Sequence, residues 1–165
     1  MGVACESQVE IWHDSGNTIY TNVLSDGTTG ENWINRMESS GVWISDRAKS
    51  FFKTKKFKIS ENKETDIEII KLNYFTKCPD IFRIKHISHC RNLKKALPEV
   101  VCLLQQQLFC RDLYKISVKR IMIMHEAYEQ RFLCLIMREG LFIIDMISMY
   151  EPWQRTDGFA FSFKK

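Results

Sequence analysis

The chain has 165 residues, of which 45% are apolar, 12% aromatic and 27% charged, with a formal net charge of +4. This is the composition of an ordinary folded domain, and it excludes a chain that is disordered throughout. The length predicts a single globular domain over residues 1–165. The longest apolar stretches fall short of the ~18–20 residues that a membrane span needs, and acidic residues stand where a secretory signal would be basic and apolar. These features predict a cytoplasmic protein with no membrane partner.

Alternating apolar and polar residues over 9–13 and 19–23, separated by turn residues, predict a β-hairpin at the start of the chain. Thr28 and Glu31 have the spacing of a capping box, in which each side chain hydrogen bonds to a free backbone amide at a helix start. The first helix is therefore expected to run from Thr28 to about Ser40.

A second helix is predicted over residues 45–55, capped by its first serine, with the phenylalanines turned inward and the lysines outward. The polar, lysine-rich residues 56–65 are predicted to form a loop. Alternation predicts strands over residues 67–71 and 81–87, although the first of these also fits helical spacing.

The second half of the chain begins with a helix at Pro98, a residue that is well tolerated at the first helical position. Its apolar residues recur at helical spacing. The remaining chain predicts four strands with short connections, which favour antiparallel pairing, at residues 116–124, 131–137, 141–148 and 159–163. The expected fold is α+β, a mostly antiparallel sheet with about three helices packed on one face.

Four short segments resemble a family of small bacterial proteins whose members are uncharacterised. They are Gly41–Ala48, Leu97–Val100, Met124–Glu126, and Trp153 followed by 158–161. The resemblance implies one continuous domain from about Gly30 onward and an origin in a bacterium or its phage. It implies no activity, because none is known for the family.

Charge is unevenly distributed along the chain. Residues 1–46 carry one basic residue against seven acidic ones, whereas residues 47–95 carry fourteen against five. Such a basic region attracts polyanions, including nucleic acid, by releasing counterions. A solvated helix face explains the same charges equally well. The densest basic segment contains Arg47, Lys49, Lys53, Lys55, Lys56 and Lys58.

The sharpest cluster of metal-ligating residue types is Cys78, His86, His89 and Cys90. Zinc sites usually contain closely spaced pairs such as C-x₂-C, and this segment has none. In a strand the two histidines would point to opposite faces, because their separation is odd. Exposed basic histidines are therefore preferred to a zinc site, and no metal or cofactor is predicted.

Two further groups could carry chemistry. Asp80 before a strand that contains Lys85 is similar to the layout of a metal-dependent nuclease, but the second carboxylate is missing beside the lysine and would have to come from Asp66 or Glu68. His125 with Glu126 has the residue types of a general base and an orienting carboxylate, with Glu99 or Asp145 as possible neighbours. The alternative for Asp145 is a strand residue that faces solvent. Cys78, Cys90 and Cys110 are possible nucleophiles without a specifying neighbour, and all six cysteines are expected to be reduced thiols.

Residues 150–155 combine residue types that are enriched in protein interfaces, namely Tyr150, Trp153 and Arg155. The first functional hypothesis is therefore a small non-enzymatic module that docks a protein partner, for example an accessory, inhibitor or immunity-type factor. The alternative is nucleic-acid binding through residues 47–95. The third is a small metal-dependent hydrolase or nuclease that uses His125, Glu126 or Asp80.

Overall fold

The computed structural model describes residues 12–108 and 117–163. These residues form four α-helices, a 3-10 helix at Leu72–Tyr74 and a nine-stranded sheet. The helices are α1 (Gly30–Ser39), α2 (Asp46–Phe52), α3 (Ile81–Cys90) and α4 (Val100–Gln107). The strands are β1 (His13–Asp14), β2 (Thr18–Asp26), β3 (Trp43–Ile44), β4 (Glu61–Lys71), β5 (Leu93–Lys94), β6 (Arg120–Ile123), β7 (Arg131–Arg138), β8 (Leu141–Ser148) and β9 (Asp157–Phe163). No helix of this part of the chain is long and apolar enough to cross a membrane.

The sheet is mixed. Its strand order is β1-β2-β4-β9-β6-β7-β8-β3, with β5 paired to the end of β9. Strands joined by short turns are antiparallel, but β6 runs parallel to β9 and β3 runs parallel to β8. The prediction of an α+β fold is confirmed, and the prediction of a mostly antiparallel sheet is wrong. The parallel pairs join strands that do not follow one another in the chain, because β4 to β7 lie between β3 and β8, and the β7–β8 hairpin lies between β6 and β9.

Helices cover both faces of the sheet. Side chains of α1, α2 and α4 share one hydrophobic core with the face that we call the three-helix face. Side chains of α3 share a second core with the opposite face, which we call the α3 face. Three helices therefore lie on one face, and the fourth helix in the described residues was missed.

The missed helix is the segment that the sequence predicted as a strand over residues 81–87. Asp80 caps it, because its Oδ1 accepts a hydrogen bond from the backbone N–H of Arg83 at 2.8 Å. Ile81, Ile84 and Ser88 are buried, at the spacing of three and four residues that defines one side of a helix. Ile81, Arg83, Lys85 and Ile87 gave the alternation of a strand, but Ile81 and Ile84 would lie on opposite faces of a strand and are both buried in the helix.

The other elements differ from prediction mainly at their ends. The cap of α1 is Thr29, whose side chain accepts a hydrogen bond from the N–H of Asn32 at 3.3 Å, while Thr28 hydrogen bonds to Asp26 instead. Ser45 caps α2 as predicted. Strand β4 begins within the predicted loop, and α4 begins two residues after Pro98. Residues 9–11 of the predicted hairpin and residue 116 of the predicted strand lie outside the described residues.

A buried ion pair fixes the parallel contact between β6 and β9. The Arg120 guanidinium donates two hydrogen bonds to the Asp157 carboxylate, each at 2.7 Å, and the two residues are 8% and 1% exposed. These hydrogen bonds hold the pKa of Arg120 above its usual range despite burial. A fork-to-carboxylate pair of this kind also fixes geometry, so it sets the position of β9 in the middle of the sheet.

Candidate interaction surfaces

Four apolar side chains are clustered on the α3 face near the β3 edge of the sheet. Trp43 and Leu141 are 59% and 58% exposed. Trp43 of β3 lies opposite Ile143 of β8, where the two strands are parallel. Ile143 in turn lies opposite Ile136 of β7, where β7 and β8 are antiparallel. Because Ile44 and Ile144 belong to the three-helix core, alternation turns their neighbours to the other face. We call Trp43, Leu141, Ile143 and Ile136 the β3–β8 patch.

Trp43 and Leu141 are exposed because they lie beyond the core beneath α3, whereas Ile136 packs against that core. That core contains Ile70, Met122 and Phe159, which belong to the central strands, and it includes no residue of β3. Arg138 lies opposite Leu141 in the register, and Asp145 lies two residues beyond Ile143 on the same face of β8. The patch is thus bordered by one cation and one half-buried acid.

The predicted docking residues after β8 have different environments. Tyr150 is 64% exposed, and Arg155 is also exposed. Trp153 is half-buried, and its ring meets the ring of Phe159 edge-on, with centroids 5.2 Å apart. Glu151 forms an ion pair with Arg120, with Oε1 and Nη1 3.4 Å apart. Trp153 therefore packs on the α3 core, and only Tyr150 and Arg155 present their side chains to solvent.

The predicted basic segment lies on α2 and the turn that follows it. Arg47, Lys53, Lys55, Lys56 and Lys58 are exposed, and Lys49 forms an ion pair with Glu38. The phenylalanines between them, Phe51, Phe52 and Phe57, are at most 6% exposed. They cannot stack on bases, so any binding of nucleic acid here depends on the lysines. We call Lys53, Lys55, Lys56 and Lys58 the basic turn.

A second group of lysines lies beside β5. Lys94 and Lys95 line two cavities, one of about 240 Å³ on the α3 side and one of about 280 Å³ beside α4. Lys85 lines the first cavity and Lys63 the second. The sequence placed these lysines in one basic region but gave no signal that they converge, because pairing of β5 with β9 brings them together.

A stack of rings joins the basic turn to the first cavity. The Nζ of Lys56 lies 5.6 Å from the ring centroid of Tyr128. Phe51 stacks on Tyr128 at 4.8 Å and on His125 at 5.3 Å, and His125 lines the cavity. The two lysine groups therefore lie at the same end of the sheet.

His125 has no nitrogen available for catalysis. Its Nε2 accepts the N–H of Leu133 at 2.9 Å, which leaves Nδ1 to donate to the carbonyl oxygen of Glu126 at 2.6 Å. Burial lowers the pKa of His125 to about 4. The Glu126 side chain is exposed and pairs with Lys95, which lowers the pKa of that carboxyl. His125 is a structural histidine, and the proposed base and carboxylate do not form a catalytic pair.

The metal and nuclease hypotheses gain no support. Within residues 12–108 and 117–163 no group of three His, Cys, Asp or Glu side chains is arranged to hold a metal ion. His86 and Cys90 are neighbours on α3, with Nε2 and Sγ 3.6 Å apart, since the segment is a helix rather than a strand. Asp80 is the cap of that helix, and buried Glu68 forms an ion pair with Arg91.

The cysteines within the described residues differ in exposure. Cys78, Cys90, Cys102 and Cys134 are free, and the last two are buried, where burial raises the pKa of each thiol. A raised pKa suppresses the thiolate that acts as nucleophile. Cys5 and Cys110 lie outside the described residues.

Comparisons of the chain with protein-family models, with curated proteins and with solved structures found no match. The resemblance to a bacterial family therefore stays a prediction, and the function must be argued from the surfaces described above.

Proposed function

We propose that the protein is a non-enzymatic binding module that docks a protein partner through the β3–β8 patch. The observation that carries the proposal is the exposure of Trp43 opposite Ile143, with the exposed Leu141 at the next same-face position of β8. Tryptophan is the residue type most enriched at interface hot spots, and contiguous apolar surface on a folded domain commonly marks a binding site. Isolated exposed side chains such as Leu24 need no such explanation.

The patch is also held rigidly, which favours binding. Trp43 and Ile44 pair with β8, and the N–H of Ser45 donates to the carbonyl oxygen of Ile144 at 3.0 Å. Because the strand is fixed on the sheet, little conformational entropy is lost when a partner orders the Trp43 ring. Arg138 and Asp145 at the border favour a partner whose apolar surface is flanked by one acid and one base.

The test compares Trp43→Ser with Leu24→Ser, a matched control because Leu24 is 60% exposed on β2. Proteins captured from the source cell by wild type are purified and titrated against each variant by calorimetry. We expect Trp43→Ser to weaken binding by about 2 kcal/mol or more, the range of a hot spot, and Leu24→Ser to leave it unchanged. A partner that binds Trp43→Ser as tightly as wild type would contradict the proposal. Tyr150→Ala measured alongside tests the loop that the sequence singled out.

A second candidate is binding of nucleic acid at the end of the sheet that carries the basic turn. It is supported by the convergence of this turn with Lys63, Lys85 and Lys94, which form no ion pair within the described part of the chain. Phosphate contacts are recognised by their salt dependence.

This candidate is tested by fluorescence anisotropy with labelled single-stranded RNA and double-stranded DNA at about 50 and 200 mM salt, where counterion release shows its slope. We expect Lys53→Glu, Lys55→Glu and Lys56→Glu together to abolish binding. The control reverses three exposed charges near the opposite end of the sheet, Lys77, Arg83 and Lys119. Equal losses in both triple variants would mean that only net charge matters.

A further inference from the structure

The cavity beside α4 combines an apolar wall with charged groups. Its volume is about 280 Å³, near the lower limit of small-molecule sites, roughly 300–1,000 Å³. Val23, Val100 and Leu103 form part of its wall, and Ser162 of β9 also lines it. The size and the wall fit a ligand of few atoms with an apolar portion. We call this space the α4 cavity.

Glu99 is the most unusual group in the α4 cavity, because it is a charged residue type that is only 2% exposed. Its Oε1 accepts two hydrogen bonds from Ser60, from the N–H at 2.9 Å and from Oγ at 2.6 Å. Its Oε2 accepts none from the described residues, and Glu99 forms no ion pair among them. A buried carboxylate normally has a cation partner, so Oε2 is the acceptor atom left for a ligand.

Lysines and one acid, Asp66, also line the cavity, and among the described residues no lysine forms an ion pair with Glu99, although the charge of Lys63 lowers the pKa of that carboxyl. Lys63 and Lys94 line the cavity and form no ion pair in the described part of the chain, whereas Lys95 is paired with Glu126. Lys94 lies opposite Ser162 in the pairing of β5 with β9, and Leu93 belongs to the α3 core. Alternation therefore turns Lys94 toward the three-helix face, on the same side as α4.

From this arrangement we propose that the α4 cavity binds a small zwitterion, an α-amino acid with an apolar side chain. The ammonium group of the ligand donates to Glu99 Oε2. Its carboxylate lies against Lys63 and Lys94, and its side chain contacts Val100 and Leu103. An ammonium group suits the site because a single acceptor oxygen is free, whereas a planar donor pair would need both carboxylate oxygens.

The environment of Glu99 agrees with this assignment. Burial raises the pKa of Glu99 against the opposing effect of its hydrogen bonds from Ser60. A bound ammonium group would offset the cost of burying the charged carboxylate, because an opposite charge within hydrogen-bond distance favours the ionised form. This site is separate from the β3–β8 patch, which lies on the other face near the β3 edge of the sheet, but it shares Lys63 and Lys94 with the nucleic-acid candidate.

The first experiment uses calorimetry on the full chain with three matched probes at up to about 10 mM, a range that covers weak binding. L-leucine carries all three groups, N-acetyl-L-leucine lacks the ammonium, and 3-methylbutylamine lacks the carboxylate. We expect saturable binding of L-leucine at one site and binding weaker by about tenfold or more for each analogue, the size of one charge-assisted hydrogen bond. No saturable binding of L-leucine, or equal binding of N-acetyl-L-leucine, would overturn the proposal.

The second experiment locates the site with variants. Glu99→Gln keeps an oxygen for Ser60 but removes the charge, and Lys94→Met removes the cation while keeping a similar apolar stem. Each is expected to weaken L-leucine binding about tenfold or more, while the exposed controls Glu64→Gln and Lys58→Met leave it unchanged. Binding unaffected by Glu99→Gln in a variant that is folded by circular dichroism would place the ligand elsewhere and refute the assignment. If Glu99→Gln does not fold, Lys94→Met and the three probes on wild type decide the matter.

Discussion

Replacing His125 with glutamine isolates the contribution of one buried imidazole to the pH dependence of stability. In the native protein the imidazole is 1% exposed and neutral. Its Nε2 must stay unprotonated, because it accepts the N–H of Leu133. Protonation would place a charge between the rings of Phe51 and Phe132 and turn an acceptor into a donor facing another donor.

The magnitude follows from the pKa of His125, which burial lowers from 6.5 to about 4 in the folded state. Above pH 6.5 neither the folded nor the unfolded state binds this proton, so the contribution to stability is fully present. As the pH falls below 6.5, the unfolded chain is protonated first and the free energy of unfolding decreases. The loss is complete near pH 4. At 1.36 kcal/mol for each unit of pKa, it amounts to about 3 kcal/mol.

The assay is urea unfolding of wild type and His125→Gln at several pH values between 7.5 and 4. Other titrating groups affect both proteins alike, so the difference between their unfolding free energies isolates the histidine. We expect the variant to be less stable at pH 7.5, where it lacks the native hydrogen bonds, and the gap to close by about 3 kcal/mol toward pH 4. A gap that stays constant over this range would refute the placement of a neutral imidazole in the core.

Two further predictions concern packing and the buried ion pair. Gly30→Ala should destabilise the fold by about 1–3 kcal/mol, because the added Cβ would lie 1.9 Å from the carbonyl oxygen of Phe52. This loss is expected even though alanine favours helices. The check is thermal unfolding of Gly30→Ala and of the control Asn35→Ala, which lies at an exposed position of the same helix. Asp157→Asn should cost about 3–5 kcal/mol because it removes the anion that accepts two hydrogen bonds from the buried Arg120 guanidinium, and leaves it only the longer 3.4 Å contact with Glu151. A loss below about 1 kcal/mol in denaturant unfolding, the size expected of a surface pair, would contradict it.

The helices and strands with one clear period were predictable, because local sequence determines them. The Trp33, Ile34 and Met37 stripe of α1 is buried as expected, and β8 has the predicted bounds from Leu141 to Ser148. The apolar spacing of α1 fits a helix and not a strand, and the apolar spacing of β8 fits a strand and not a helix.

The segment that forms α3 shows the limit of periodicity. Its isoleucines at positions 81, 84 and 87 form two pairs three residues apart and fit a helix, while Arg83 and Lys85 between Ile81 and Ile87 fit alternation. Asp80 was available as a cap signal, but it was interpreted as a candidate metal ligand. Weighing the cap together with the spacing of three would have favoured the helix.

The surfaces were harder to predict than the elements, because they depend on which strands become neighbours. The residues Val42, Trp43 and Ile44 form one apolar stretch in the sequence, and nothing local says which of them is exposed. Only the parallel pairing of Trp43 with Ile143 places it at the edge of the sheet, beyond the core of α3.

The α4 cavity depends on contacts that are even more distant in the sequence. Glu99 precedes α4, and it meets Ser60, 39 residues earlier, only because the fold brings the start of α4 to the residue before β4. Lys94 reaches the same cavity because β5 pairs with β9 at the end of the chain. A charged residue before an apolar helix is commonly a solvated cap, so its burial cannot be anticipated from its neighbours. The general-base candidate of the sequence, His125, is structural because it is buried with both ring nitrogens hydrogen bonded. The residues with capacity for binding are instead those that the topology leaves without partners.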